Sequence, residues 1–308
     1  MNTRTIVDWL AVRTQSEVPQ VTEAVRGMFG PLRDSLSLSY RSRGWQGYQT
    51  AADVLLTDMS VGLMAWGGDN QKGWVHLSLS GTGCAWVRDW DTAQEELQKL
   101  SALSVRRCDI ALDTIGRQVT HQSVVEAYRA GMFCAPGRPG RPPKCQRIES
   151  ERPEDGRTVY IGARENDKFF RGYEKGLQLA AQSGGTLTEV GGVPVADMYR
   201  CELELKAKSG ALPDDLIDNR DQYFAGAYPY LQHVLHDVVP EVMVIDRRLS
   251  PRLNMERMLE HIRSQYGSTL YTALVVHQGD FMAVWDRICG STHNDDLVRA
   301  GALLIDAE

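Results

Sequence analysis

The sequence predicts an α+β protein: a mostly antiparallel sheet with helices on one face, followed by a smaller helical C-terminal region. Two observations predict it. Several short segments alternate apolar and polar residues with a period of two, as in WVHLSLS (74–80), RCDIALD (107–113) and RCELELK (200–206), which is the mark of strands with one buried face. After Ala207 the apolar spacing becomes helical instead.

In chain order, residues 5–13 form a first strand. Residues 16–28 (SEVPQVTEAVRGM) follow as a helix, with Ser16 placed as its N-cap. Gly- and aromatic-rich segments, GWQGYQTAADVLL and VGLMAWGG, give strands with turns. In WVHLSLS, Val75, Leu77 and Leu79 point one way, and Trp74, His76, Ser78 and Ser80 the other. Residues 92–103 and 121–130 are helical and 107–113 a strand. Residues 135–157 hold prolines, glycines and charges and predict a long loop. Strands resume at 158–162, 169–175 and 199–206, the last two separated by the Gly-rich turn SGGTLTEVGGV. Helices are expected over 221–239, 254–266, 268–277 and 279–289. A boundary near 209–218 would divide a mixed α/β domain at residues 1–208 from a smaller helical domain at 209–308.

At 308 residues the chain is long enough for one large domain or two ordinary ones. No apolar run approaches the ~20 residues of a membrane helix, and the N-terminus shows no small-residue cleavage site. A cytoplasmic protein is expected. The cysteines (Cys84, Cys108, Cys134, Cys145, Cys201, Cys289) contain no C-x-x-C pair, which excludes a zinc ribbon and a thioredoxin motif. Cys108 and Cys201 fall on the apolar side of their strands, as small buried thiols. The net charge of -6 argues against a protein that coats DNA non-specifically. It leaves room for a local basic surface, and GRPGRPPKCQR (137–147) supplies one: Arg138, Arg141, Lys144 and Arg147, with no acid.

Alternation also gathers chemistry on one face of the sheet. Asp109 and Asp113 lie opposite the apolar positions of 107–113. Glu202, Glu204 and Lys206 do the same in 200–206, and Arg171, Tyr173 and Lys175 share a face in 171–175. If these strands are neighbours, carboxylates, cations and a tyrosine meet. Carboxylates can hold Mg²⁺ or Mn²⁺, the metal and cations can stabilise a phosphate, and a tyrosine can attack phosphorus. The same pattern also suits the solvated face of an ordinary antiparallel sheet, and His76 reads more simply as structural.

These motifs resemble the replication initiation factors of rolling-circle plasmids, filamentous phages and some conjugative elements, the Rep_trans family. The matching stretches are VDWLAV, GWQGY, HLSLSGTGC, RRCDIALD, TVYIGARENDKFFRGYEKG and YRCELELK, in the family's order and spanning residues 5–207. The resemblance implies a DNA strand nicking-joining endonuclease. It would cut one strand at a replication origin, stay joined to the 5′-phosphate through a phosphotyrosine intermediate and leave a 3′-OH primer. Tyr173 would be the nucleophile, with Arg171 and Lys175 beside it. Asp109, Asp113, Glu202 and Glu204 would be ligands of the divalent metal, Mg²⁺ or Mn²⁺. Partners would be DNA, single-stranded at the nick, with host helicase and polymerase in a bacterial cytoplasm, and a homodimer is left open. There are departures: no His-hydrophobe-His motif is present, the chain is more acidic than a DNA-binding protein usually is, and Tyr160 is a rival nucleophile.

Two other readings stay open, a non-catalytic DNA-binding regulator on the same scaffold and a metal-dependent nuclease that keeps no covalent link. Origin recognition would lie outside the catalytic face. Its candidates are the loop bearing Arg138, Arg141, Lys144 and Arg147 and the helical end with Arg247, Arg248, Arg252, Arg257 and Arg263.

Overall fold

The computed structural model describes residues 4–134, 140–208, 211–243, 251–294 and 298 (at 251–254, 256, 257 and 261 the backbone alone). The strands are β1 (Ile6–Thr14), β2 (Leu36–Tyr40), β3 (Thr50–Leu56), β4 (Met59–Trp66), β5 (Val75–Leu79), β6 (Ser104–Thr114), β7 (Cys145–Glu149), β8 (Arg157–Ile161), β9 (Lys168–Tyr173), β10 (Glu189–Val190), β11 (Val193–Pro194) and β12 (Tyr199–Lys206). The helices are α1 (Val18–Met28), α2 (Gly81–Trp86), α3 (Trp90–Gln98), α4 (His121–Arg129), α5 (Lys175–Gln182), α6 (Arg220–Ala227), α7 (Pro229–Val234), α8 (Pro251–Val276) and α9 (Phe281–Ile288). Ten strands form one sheet in the order β2-β3-β4-β5-β1-β6-β12-β9-β8-β7. Each of its strand pairs is antiparallel.

The expected α+β class is what forms. Alternation sends Cys108, Ile110 and Leu112 of β6 and Cys201, Leu203 and Leu205 of β12 into one apolar layer. Val21 and Val25 of α1, Leu97 of α3, Val124 of α4, Phe224 of α6 and Leu231 of α7 join the same layer. Burying these side chains drives the assembly, at roughly 1.5–3 kcal/mol for each large one. Cys108 and Cys201 are buried free thiols, as their alternation predicted.

Several elements differ from the sequence reading. Ser16 does not cap α1: Glu17 does, in a reciprocal capping box with Gln20, while the Ser16 hydroxyl bonds the Ser101 backbone and hydroxyl. Part of the predicted loop at 135–157 is the edge strand β7, which pairs with β8. The strand expected at 169–175 stops at Tyr173, and Lys175 begins α5. The single helix expected at 221–239 is two. Pro229 cannot donate a helical hydrogen bond, and Tyr228 before it is extended.

The domain division also differs. The chain separates into two compact units, residues 1–246 and 247–308, not at 209–218. The reason lies in α6 and α7. Phe224, Tyr228, Tyr230 and Leu231 are buried in the main core, and Asp221 ties α6 to the two residues just before β1. Its carboxylate accepts from the Arg4 N–H at 2.9 Å, the Thr5 N–H at 2.9 Å and the Thr5 hydroxyl at 2.5 Å. Asp221→Ala leaves those buried donors unpaired and is expected to cost about 2–4 kcal/mol. A urea titration checks it, and an unchanged midpoint would show the tie to be incidental. In the second unit, α8 runs unbroken through both helices expected at 254–266 and 268–277, and α9 follows.

Candidate active site

The register of β9, β12 and β6 sets the polar face out in rows. Residues paired across antiparallel strands share a face, with Cβ atoms about 4.5–5.5 Å apart. The first row is Thr158, Tyr173, Arg200 and Asp113. The second is Tyr160, Arg171, Glu202 and Ala111. The third is Phe169, Glu204, Asp109 and Trp9. A fourth brings Lys206 beside Arg107. The three strands are therefore neighbours, as the chemical reading required, and the tyrosine, cations and carboxylates share one face.

Tyr173 ends β9 and is 9% exposed. The Arg171 guanidinium lies over its ring at 5.0 Å and Lys175 Nζ at 5.8 Å. So Lys175, although it has left the strand, still touches the tyrosine from the first turn of α5. Burial pushes the Tyr173 hydroxyl up to about 12; Arg200 and Arg171 pull it down, while Glu202 and Asp8 push it further up. Tyr160, the rival, lies on the same face, stacked on Phe169 at 5.5 Å with Arg164 over both rings. Arg171 stands between it and Glu202, the carboxylate of its row.

The carboxylates fall into two sets. Asp109 and Glu204 face each other across β6 and β12 and are buried, 3% and 5% exposed. Arg107 bridges them, donating to Asp109 at 2.8 and 2.6 Å and to Glu204 at 2.8 Å. Lys206 also contacts Glu204. Burial raises Asp109 to about 6, against the pull of Arg107 and with help from Glu204 and Glu202. The second set surrounds Tyr173. Arg200 binds Asp113 through two hydrogen bonds, 2.5 and 2.6 Å, and reaches Asp8 at 2.8 Å. Arg171 donates to both oxygens of Glu202 at 2.6 and 2.5 Å. Asp109 and Asp113 are four residues apart on one strand, about 13 Å, so one ion cannot take both.

Among the described residues, no three His, Cys, Asp or Glu side chains are grouped closely enough to hold a metal ion. The four expected ligands thus do not converge. The donor chemistry still suits Mg²⁺ or Mn²⁺, which use one or two carboxylates and fill the remaining positions with water and substrate phosphate. Asp113 and Asp8, with side chains 35% and 23% exposed, are the accessible carboxylates beside Tyr173, and Glu202 adjoins them. Asp8, Arg107 and Arg200 were not among the residues singled out in the sequence. Arg200 was detectable by its alternation with Glu202 and Glu204, and Arg107 by its spacing from Asp109. Asp8 reaches the face only because β1 changes register between Val7 and Trp9.

The remaining sites lie elsewhere. His76 stacks on Trp45 at 4.7 Å and burial lowers it to about 4, the environment of a packed histidine. Arg141, Lys144 and Arg147 are exposed, Arg147 on β7 and not in a loop. Arg138, Arg247 and Arg248 lie outside the described residues, as do the side chains of Arg252 and Arg257. Arg263, on α8, is exposed. No helix of the described residues is long and apolar enough to cross a membrane.

Residues 103–252, which carry β6, β9, β12 and the α6–α7 pair, match the replication initiation factor family. The match is to that segment, just under half of the chain. Among solved structures, the rolling circle replication initiator protein from Geobacillus stearothermophilus has a similar fold. The TM-score is 0.50 at 20% identity, over 76% of this chain and 80% of that one. No curated protein matches by sequence.

Proposed function

We propose that this protein starts rolling-circle replication by nicking one DNA strand at an origin, with Tyr173 as nucleophile. The observation that carries the reading is the first row of the polar face: Tyr173 beside Arg200 and Asp113, with Arg171 and Glu202 in the adjoining row. In the step, a Tyr173 Oη–P bond forms and the P–O3′ bond breaks. The tyrosine loses its proton, and the departing oxygen gains one to become the 3′-OH primer. Arg171 and Arg200 supply positive charge where the phosphate gathers negative charge. Mg²⁺ or Mn²⁺ held by Asp113, Asp8 or Glu202 would add charge stabilisation at that phosphate. Partners in this reading are single-stranded origin DNA and the host helicase and polymerase, in a bacterial cytoplasm.

A single-stranded oligonucleotide cut by the full chain with Mg²⁺ or Mn²⁺ should leave a covalent protein–DNA adduct that survives denaturation. Cleavage without adduct would favour the metal-dependent nuclease. No cleavage with intact binding would favour the non-catalytic regulator. One observation speaks for the regulator: Asp109, Asp113, Glu202 and Glu204 are each already paired with an arginine.

The raised Tyr173 hydroxyl sets the pH dependence. With a pKa of about 12 the nucleophile is protonated at neutral pH, so attack as tyrosinate should speed up about tenfold per pH unit between roughly pH 7 and 9. Single-turnover cleavage at a series of pH values checks this, and a flat profile rules out attack by free tyrosinate.

A further inference from the structure

The polar face extends well beyond Tyr173, and the GWQGY stretch of the sequence lies at its far end. Along β6 from the tyrosine's row, Trp9 of β1 stands opposite Asp109 and Arg13 opposite Ser104. His76 of β5 pairs with Arg13 from the other side. From Asp113, in the tyrosine's row, to Ser104 the face runs about 30 Å. Along this run three arginines lie over aromatic rings: Arg171 over Tyr173 at 5.0 Å, Arg107 over Trp9 at 4.9 Å and Arg13 over Trp74 at 4.9 Å. Trp9, Trp45 and Trp74 are all partly exposed.

The far end differs from the middle in its charge. In the middle, Arg107 is bonded to Asp109 and Glu204, and Lys206 contacts Glu204, so cations and acids balance. At the far end, no carboxylate pairs with Arg13 among the described residues. Arg106 stands beside it, and burial together with the charge of Arg13 lowers the Arg106 guanidinium. Two like charges held side by side, on a chain whose net charge is -6, mark a place that favours an anion. Aromatic rings adjoin them. The GWQGY segment turns back on itself: the Trp45 N–H donates to the Tyr48 carbonyl at 3.1 Å, and the Tyr48 N–H to the Trp45 carbonyl at 2.8 Å. Gln46 and Gly47 between them have φ of 43° and 86°, as a tight hairpin turn requires. The turn lays the Trp45 ring on His76 at 4.7 Å.

Cations beside partly exposed indoles suit a ligand that offers both phosphates and open base faces. A duplex offers the phosphates but keeps its bases stacked inside. We propose that the far end of the polar face, Arg13 with Trp45 and Trp74, holds single-stranded DNA several nucleotides away from the phosphate at Tyr173. Phosphates lie at Arg13 and Arg106, and bases stack on the indoles, a mode of binding that tolerates any sequence. At about 3.4 Å per nucleotide of a stacked strand, roughly nine nucleotides bridge Tyr173 and Arg13, and a stretched strand needs fewer. The Arg107–Trp9 pair lies along the path between them. The inference rests on the nicking reading for the phosphate at Tyr173, but the contacts at the far end need no cleavage.

The test measures binding by the full chain, in EDTA so that nothing is cleaved, over a series of salt concentrations. The probes are labelled oligo-dT strands of about four and about twelve nucleotides and a duplex of the longer length. The wild type should bind the longer strand about tenfold more tightly than the shorter strand or the duplex. Arg13→Gln should weaken binding of the longer strand and flatten its logarithmic salt slope by about 0.7, the share of one phosphate contact. Trp74→Leu should weaken it about tenfold at an unchanged slope, and Trp74→Phe, which keeps a ring, should restore most of that loss. A merely structural role would not separate charge from stacking in this way, and unchanged circular dichroism confirms that the variants fold. If the variants show these losses but no DNA is ever cut when Mg²⁺ is supplied, the site stands and the nicking reading falls. Wild-type affinity and slope in both Arg13→Gln and Trp74→Leu overturn the site alone, whether or not the chain cleaves. So do a Trp74→Phe loss as deep as that of Trp74→Leu, a duplex bound as tightly as the single strand, and no binding of any strand.

Discussion

Tyr173→Phe should abolish both cleavage and adduct formation while leaving the fold and binding to single-stranded DNA intact. The substitution deletes one hydroxyl. The ring, on which Arg171 rests at 5.0 Å and Lys175 at 5.8 Å, remains, so the cation–π contacts survive and little packing area is lost. The loss in rate should reach the background of the assay, because a covalent step cannot proceed without its nucleophile. Tyr160→Phe is the control. It lies on the same face but packs against Phe169, and its loss should change the rate by less than about tenfold. Full cleavage by the Tyr173 variant would move the assignment to Tyr160, and loss in both would leave the nucleophile undivided between them.

Glu202→Gln should lower cleavage by orders of magnitude and weaken Mn²⁺ binding, and Asp113→Asn should follow it. Asp109→Asn should behave differently. Asp109 is buried under Arg107 and its pKa is raised to about 6, so the folded state holds the proton more tightly than the unfolded chain does. That contribution favours folding at low pH and is lost as pH rises from about 4 to 6. At neutral pH the ionised carboxylate is therefore a net cost, on the order of 2–3 kcal/mol. The uncharged asparagine should remove this cost, raising the melting temperature at pH 7 and flattening its fall between pH 4 and 6. Arg107 keeps Glu204 as its partner, so no cation is stranded. Equal losses of Mn²⁺ affinity in the Asp109 and Glu202 variants, with no gain in stability for the first, would show that the carboxylates act as one site.

The two sets of variants probe a distinction that strand alternation could not draw. Alternation assigns a residue to a face of its strand, and it placed Asp109, Asp113, Glu202, Glu204, Arg171 and Tyr173 on the same side. It says nothing of where along a neighbouring strand each residue falls. That is decided by register, which came from the pairing of Arg200 with both Tyr173 and Asp113. The register puts Asp109 two rows from the tyrosine and divides the carboxylates into a buried pair, Asp109 and Glu204, and a second group in which Asp113 and Asp8 are accessible and Glu202 is buried. Asp8 enters that group through a shift in the pairing of β1, which no local pattern announces.

By itself, then, the sequence determined the fold class, most of the strands, the tyrosine with its flanking cations and the sharing of one face by the acids. Each of these follows from a local period or a contiguous motif. The tertiary structure decided which strands are neighbours and in what register, and it placed the compact-unit boundary at 246/247 instead of 209–218. The physical reason is that helical periodicity after Ala207 records secondary structure and carries no information about the core in which a helix is buried. Phe224 and Leu231 lie in the core of the sheet domain because long-range packing, not local spacing, selects the surface against which an apolar helix face is removed from water.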